Sequence, residues 1–230
     1  MKKIVPHVVV IALFAVIALA FFYPVLQGKG IFQSDIVQYT GMAKERNDYR
    51  QTENKETYWT NSAFGGMPTY QMSPSYQSTD GLSQVMNAYH LWLPDNVWFL
   101  FVYLLGFYIL LRAFDFRQSL AALGSIMWAF SSYFLIIIAA GHLWKVMALA
   151  YLPPMIAGVV LAYRGKYLWG FIVTAVFTAF EVKANHVQMT YYYLFIVLFM
   201  VIGYLVQAVR QKQLVGFLKA SGVLAVAALI

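Results

Sequence analysis

The chain has 230 residues, of which 61% are hydrophobic and 11% are charged, whereas a soluble domain usually carries roughly 25% charged residues. This composition indicates a protein covered largely by lipid, and the net charge of +7 does not indicate nucleic-acid binding, because the basic residues stand in small groups between apolar stretches. The absence of cysteine excludes disulfides and thiol chemistry.

Seven apolar stretches follow one another along the chain. Each approaches the roughly 20 residues that a helix needs to cross the hydrocarbon core of a bilayer. Backbone polar groups in lipid must be satisfied within their own segment, which favours helices. The sequence therefore predicts an all-α integral membrane protein, a polytopic helical bundle of about seven spans. The stretches are 4–26, 92–114, 119–140, 144–163, 167–184, 187–208 and 214–230.

The basic residues predict which way the spans face. With the N-terminus inside, the short outer connections hold only Lys145 and Lys183. Cytoplasmic loops carry an excess of Lys and Arg, and a long loop such as 27–91 translocates largely regardless of its charge. We therefore expect the N-terminus to be inside. The basic residues of the inner segments are Lys2, Lys3, Arg112, Arg117, Arg164, Lys166, Arg210, Lys212 and Lys219.

The pattern divides the chain into a first transmembrane anchor at 1–26, an extracytoplasmic loop at 27–91 and a membrane domain of about six spans at 92–230. The first stretch also has the basic start and the Ala18-Leu19-Ala20 of a cleavable signal peptide. An uncut anchor is favoured because the apolar run continues to Leu26, and both alternatives leave the loop outside. The last apolar run reaches Ile230 without a polar flank, so we expect a fragment of a longer polytopic protein.

Polar side chains gather at the outer ends of the predicted spans. Because polar groups at membrane depth are costly, such positions are candidates for function. His142 and Lys145 lie between spans three and four, and Asp35 and Gln38 lie one turn apart in a predicted interfacial helix after span one. The group between spans five and six consists of Glu181, Lys183, Asn185, His186 and Gln188.

Each of these residues also has a purely structural interpretation. The two lysines can snorkel to lipid headgroups, and the two histidines can be interfacial hydrogen-bonding groups. Glu181 can bond within its helix or to a neighbouring helix, and Asp35 can be a helix N-cap or a solvated loop charge. Pro153-Pro154 predicts a kink in span four, with a broken-helix transport site as the alternative.

Four segments resemble the YfhO family of bacterial membrane proteins, especially its Bacteroidetes-type members. In the outer loop they are SDIVQYTGMAKE and YWTNSAFGGMPTYQ, and at the later outer junctions they are AAGHLWKVMALAYLPP and EVKANHVQMTYYY. The similarity covers essentially the whole chain. The loop segments are quite specific, and the apolar spans add little. Members of the family are longer, with further spans, which agrees with the expected fragment.

The resemblance implies a GT-C-type glycosyltransferase of the bacterial cytoplasmic (inner) membrane. Such enzymes take a sugar from a polyprenyl-phosphate carrier and transfer it outside the membrane, here to a cell-surface glycan or lipid. The acidic residue of the first outer loop, matched by Asp35, then orients or deprotonates the acceptor. The motif contains no Asp-x-Asp, which argues against a divalent metal, and no other cofactor is expected.

Topology and chemistry agree in this interpretation. A lipid-phosphate leaving group needs cationic donors at headgroup depth, which His142, Lys145 and His186 can supply. An acceptor hydroxyl needs a carboxylate within hydrogen-bond reach. The predicted catalytic residues are Asp35 and Glu181, and the predicted substrate-binding residues are Gln38, His142, Lys145, Asn185, His186 and Gln188.

The sequence also allows two other functional classes, a transporter and a non-catalytic subunit. A transporter or flippase for a lipid-linked or polar solute would need polar residues along a path through the bilayer, and the sequence has them only at the outer end. A non-catalytic membrane subunit would bind a glycan or a partner through the outer loop.

Overall fold

The computed structural model describes residues 4–72 and 81–229. Helices dominate these residues, so the all-α prediction is confirmed. The described strands are two residues long each, and Trp59–Thr60 pairs antiparallel with Met67–Pro68. The predicted inner residues Lys2 and Lys3 lie outside the described residues.

The helices follow the predicted apolar stretches closely. The outer loop contributes α3 (Ser34–Met42), α4 (Lys44–Glu53), a 3-10 helix (Thr69–Met72) and α5 (Leu82–Tyr89). The first stretch forms α1 (Val5–Phe21) and α2 (Tyr23–Leu26). The remaining stretches form α6 (Val97–Ala113), α7 (Gln118–Ala129), α8 (Ser132–Ala140), α9 (Leu143–Tyr163), α10 (Tyr167–Lys183), α11 (Val187–Arg210) and α12 (Leu214–Leu229).

Two of these helices, α9 and α11, are long and apolar enough to cross a membrane. Together α7 and α8 form a third candidate, although they meet at an angle of 46°. Pro153 and Pro154 both stand inside α9, which continues as one helix, so the broken-helix alternative for span four is not supported. The interruption falls in the third apolar stretch instead, between Ala129 and Ser132.

The centre of the bundle is formed by α6, α9 and α10, which approach one another at glycines. A Cβ on Gly106 would lie 2.8 Å from the Ala150 carbonyl oxygen of α9. A Cβ on Gly158 would lie 2.4 Å from Oγ1 of Thr174 on α10. Small residues of this kind allow apolar helices to pack backbone against backbone. The outer ends of these three helices are therefore held in fixed relative positions.

The outer loop is tied together by the carboxylate of Glu45. Its Oε2 accepts hydrogen bonds from the Thr60 hydroxyl at 2.5 Å and from the backbone N–H groups of Asn61 and Ser62 at 2.9 Å each. These bonds, above all the one from Thr60, favour the ionised form and lower the pKa of Glu45. The turn after the first strand is thereby fixed on α4, close to the site described below.

Candidate functional site

The start of α3 lies against the turn between α8 and α9. The Gln33 side chain donates to the carbonyl oxygen of Ile138 at 2.6 Å. Gly141 occupies the left-handed region (φ +92°), and a Cβ there would lie 3.0 Å from Cβ of Gln33 and 3.5 Å from Cβ of Asp35. Only glycine combines this backbone conformation with so close an approach. The contact brings the loop helix to the beginning of α9.

The side chains of Asp35 and His142 are within hydrogen-bond distance across this contact. Oδ2 of Asp35 lies 2.6 Å from Nδ1 of His142. The other carboxylate oxygen, Oδ1, has the Ser34 hydroxyl at 3.5 Å, too far for a strong hydrogen bond. Both side chains remain partly exposed, at 41% for Asp35 and 48% for His142. The carboxylate is therefore oriented through one oxygen and accessible at the other.

The pair lines a cavity of about 910 Å³, which we call the first cavity. Lys145 and His186 line the same cavity. The ammonium of Lys145 lies 5.4 Å from the ring centroid of Tyr133, within the range of a cation–π interaction. Four predicted site residues thus meet in one space whose volume is that of a small-molecule site.

Three long helices begin at the first cavity. The N-cap residues of α6, α9 and α11 are Asn96, His142 and His186, and all three line it. The N-terminus of an α-helix carries a partial positive charge from its aligned peptide dipoles. These three ends and the Lys145 ammonium are positive groups of the cavity that suit an anionic ligand, and they face the carboxylates of Asp35 and Asp95, which line it too.

The other predicted site residues lie outside the first cavity. Gln38 and Asn185 are exposed to solvent, and the Gln188 amide donates to the Tyr192 hydroxyl one turn further along α11 at 3.0 Å. Gln38 is exposed although its helix neighbours Ile36 and Tyr39 line the cavity. Assigning Gln38, Asn185 and Gln188 to substrate contacts is therefore not supported by the geometry.

Glu181 is buried between helices, with 1% of its surface exposed. Its Oε1 accepts a hydrogen bond from the Thr190 hydroxyl on α11 at 3.1 Å. The Thr190 hydroxyl also lies 3.3 Å from the carbonyl oxygen of His186, and Nδ1 of His186 accepts from the Met189 backbone N–H at 3.3 Å. Glu181 thus anchors the turn that carries His186. It does not line the cavity, because its helix directs the side chain toward α11.

Several cavity residues were not identified from the sequence. Asp95, Asn96 and Trp98 precede or begin α6, and Gln33 precedes α3. The Gln33 amide also approaches the Asn96 side-chain oxygen at 3.4 Å. Asp95 and Asn96 lie near the end of a predicted span, as His142 does, so the rule that selected His142 would also have selected them.

A metal centre has no geometric support in residues 4–72 and 81–229, which contain no group of three or more His, Asp or Glu side chains close enough to share an ion. Comparisons with protein-family models, curated proteins and solved structures give no match for this chain.

Proposed function

We propose that this chain is a multi-pass membrane protein with about seven spans that transfers a sugar from a polyprenyl-phosphate carrier to a cell-surface acceptor on the outer side of the bacterial cytoplasmic membrane. The observation that carries the proposal is the first cavity, where the Asp35 carboxylate meets Lys145, His186 and three helix N-termini. A carboxylate suits an acceptor hydroxyl, and the positive groups suit a lipid phosphate. The resemblance to the YfhO family supports the same reaction.

The distribution of arginine supports the proposed orientation. The three helices that begin at the first cavity have an arginine at or next to their opposite ends: Arg112 in α6, Arg164 after α9 and Arg210 in α11. Arg164 also forms an ion pair with Asp115 at 2.5 Å, joining two turns at that end. Since Lys and Arg are concentrated on the cytoplasmic side of membrane proteins, the cavity belongs on the outer side.

In the proposed mechanism, the acceptor hydroxyl gives its proton to Oδ1 of Asp35 while His142 holds Oδ2. The acceptor oxygen attacks the anomeric carbon of the donor as the bond from that carbon to the phosphate oxygen breaks. Lys145, His186 and the helix N-termini stabilise the negative charge that develops on the phosphate. Because Nδ1 of His142 contacts Asp35, the other ring nitrogen, Nε2, is available to contact the phosphate. Attack opposite the leaving group inverts the anomeric centre.

Label transfer tests this reaction directly. Membranes containing the full chain are incubated with a radiolabelled polyprenyl-phosphate sugar, and label is followed from the lipid-soluble to the acceptor fraction. Asp35→Asn keeps the size of the side chain and removes its basicity, so transfer should fall by about 10²–10⁴-fold. Donor binding should change little, because the phosphate is held by other residues.

Asp48→Asn is the matched control, since Asp48 is an exposed acid of the same loop that pairs with Lys44 outside the cavity. It should transfer sugar at the parental rate. Parental transfer by Asp35→Asn would remove Asp35 from the mechanism and leave Asp95, which also lines the first cavity, as the acidic candidate.

One observation favours a transporter instead. Oε2 of the buried Glu181 has no hydrogen-bond partner among the described residues, and a buried acid in a membrane helix is typical of transport pathways. A transporter would respond to substitution of Glu181 but would form no labelled product, so the same assay separates the two functions.

A further inference from the structure

A second cavity of about 410 Å³ lies directly beside the first one. The two share Asp95, Trp98 and Met147 as lining residues. The second cavity is completed by residues from α5, from the segment after it and from the end of α10, notably Ser83, Asn87, His90, Trp92 and Lys183. The site therefore has two compartments with a common wall.

The wall between the compartments is rigidly supported. The Trp98 indole stacks on the His90 imidazole, with ring centroids 4.0 Å apart and an interplanar angle of 9°. Its Nε1 donates to Asp95 at 3.2 Å. Behind it, Nε2 of His90 forms a hydrogen bond of 2.8 Å with the Tyr151 hydroxyl of α9. These contacts hold Trp98 and Asp95 in place, so the second cavity is preformed.

The rim of the second cavity carries an exposed tryptophan in an unusual backbone conformation. Leu91 and Trp92 both have left-handed dihedrals (φ +54° and +50°). Their N–H groups bond to the carbonyl oxygens of Ala88 and Asn87 in the Schellman pattern that ends a helix, where glycine is usual. The Trp92 side chain is 72% exposed. Strained positions of this kind concentrate at binding sites, and here the strain holds an indole at a cavity mouth.

Among the described residues, the charges that line the second cavity are one cation, Lys183, and one anion, Asp95. Burial lowers the pKa of His90 to about 4, so its imidazole is neutral at physiological pH. The remaining polar groups are the Ser83 hydroxyl, bonded to Lys183 at 2.7 Å, and the Asn87 amide. Balanced charge, neutral hydrogen-bonding groups and an indole face suit an uncharged, hydroxyl-rich ligand.

We infer that the second cavity binds the neutral carbohydrate end of the acceptor, on the opposite side of Trp98 from the phosphate-linked donor. This inference rests on the proposed function and adds to it the chemical class of the acceptor. Because the two cavities adjoin at Asp95, Trp98 and Met147, an acceptor hydroxyl would reach the first cavity past the edge of this wall while the rest of the saccharide remains on Trp92.

Thiol protection tests the binding site. The chain has no cysteine, so Asn87→Cys introduces a single thiol in the second cavity and Ile36→Cys introduces one in the first. The probes are maltose, cellobiose and chitobiose as neutral disaccharides, with inorganic phosphate as the anion, and the readout is the rate of modification by an impermeant maleimide. At least one disaccharide should slow modification of Asn87→Cys and leave Ile36→Cys unchanged, whereas phosphate should do the reverse.

Adding Trp92→Ala to Asn87→Cys should raise the disaccharide concentration for half-protection by about tenfold, through loss of the aromatic contact. Phosphate protection of Ile36→Cys should be unaffected by Trp92→Ala. The inference is overturned if none of the three disaccharides protects Asn87→Cys, if phosphate protects it, or if disaccharides protect both thiols equally.

The label-transfer assay separates this inference from the proposed function. Trp92→Ala should raise the acceptor concentration for half-maximal transfer and leave donor binding at the parental value. If a disaccharide protects Asn87→Cys but the parental chain transfers no label, the second cavity remains a carbohydrate site and the proposed transferase function is wrong. If the parental chain transfers label but no disaccharide protects Asn87→Cys, the transferase function stands and the second cavity is not the acceptor site.

Discussion

Nδ1 of His142 lies 2.6 Å from Oδ2 of Asp35, which joins the outer loop to the first turn of α9. Because both side chains are more than one-third exposed, the contact contributes only about 0–1 kcal/mol to stability. Its geometric effect is larger, since it fixes the carboxylate at the edge of a cavity that also contains Lys145 and His186. Variants of the pair should therefore alter the reaction more than the fold.

His142→Ala should reduce sugar transfer, because Asp35 loses the group that orients it. The double variant Asp35→Asn/His142→Ala should transfer sugar about as slowly as Asp35→Asn alone, since residues that act as one unit are non-additive. The free energy of unfolding in detergent should change by no more than about 1 kcal/mol in His142→Ala. A double variant whose loss equals the product of the two single losses would contradict the dyad.

Gly141→Ala should reduce transfer by displacing α3 and with it Asp35. Gly165→Ala is the matched control, because Gly165 is also left-handed (φ +78°) but has nothing within 4 Å of an added Cβ. Both variants should lose about 1–2 kcal/mol of stability from the backbone conformation. Only Gly141→Ala, whose Cβ would press on Gln33 and Asp35, should also lose activity. Equal activity in the two variants would show that the contact does not position the carboxylate.

Lys145→Ala should weaken binding of the lipid-phosphate donor and leave the rate of the chemical step largely unchanged. Loss of one charge-assisted contact to a phosphate costs about 1.5–3 kcal/mol, or roughly 10- to 150-fold in the donor concentration for half-maximal transfer. Lys44→Ala is the control, since Lys44 pairs with Asp48 in the exposed part of the loop. If Lys145→Ala leaves the donor concentration for half-maximal transfer unchanged, this lysine only snorkels to headgroups or packs on Tyr133.

Sequence reasoning identified the helices because they depend on composition along the chain. His142, Lys145 and His186 were selected by their predicted depth and Asp35 also by the family resemblance, and all four line one cavity. Depth does not determine how a helix is rotated about its axis, so Glu181 was placed in the site although its side chain is buried against α11. Rotation is decided by tertiary packing, which a single sequence does not reveal.

The second cavity was missed for a different reason. It depends on the end of α5, where Leu91 and Trp92 adopt left-handed dihedrals. Propensity predicts glycine at such positions, so neither residue signals a helix end in the sequence. The break between α7 and α8 was also missed, because Phe130 and Ser131, which separate the two helices, are neither glycine nor proline.

Cysteine labelling should test the proposed topology. Single cysteines at Ser34 and Asn185 should react with an impermeant thiol reagent on intact spheroplasts, and cysteines at Gly165 and Gln211 should react only after the membrane is opened. All four positions are exposed in the structure, so differences in labelling report sidedness. Gly141 is not suitable, because a Cβ there would press on Gln33. Labelling of Gly165→Cys from outside would reverse the orientation.

The buried imidazole of His90 should make stability depend on pH. Burial lowers its pKa in the folded state to about 4, whereas an exposed histidine in the unfolded chain has a pKa near 6.5. Between these values the unfolded state binds more protons, so the free energy of unfolding falls as pH decreases. His90 therefore contributes its full stabilisation above about pH 6.5, and by pH 4 most of this, about 2–3 kcal/mol, is lost.

Thermal unfolding of the detergent-solubilised chain between pH 7 and pH 4 measures this effect. His90→Gln keeps a hydrogen-bonding group near the Tyr151 hydroxyl and removes the titration, so its stability should vary much less over the range from pH 6.5 to pH 4. The folded pKa of Glu45 lies below the ordinary carboxyl value, so Glu45 affects stability only near and below that value, and Glu45→Gln should leave the slope above pH 5 unchanged. If the parental chain and His90→Gln lose stability in parallel, His90 is not the group responsible. In that case the wall formed by His90 and Trp98 must admit enough water for the imidazole to protonate in place.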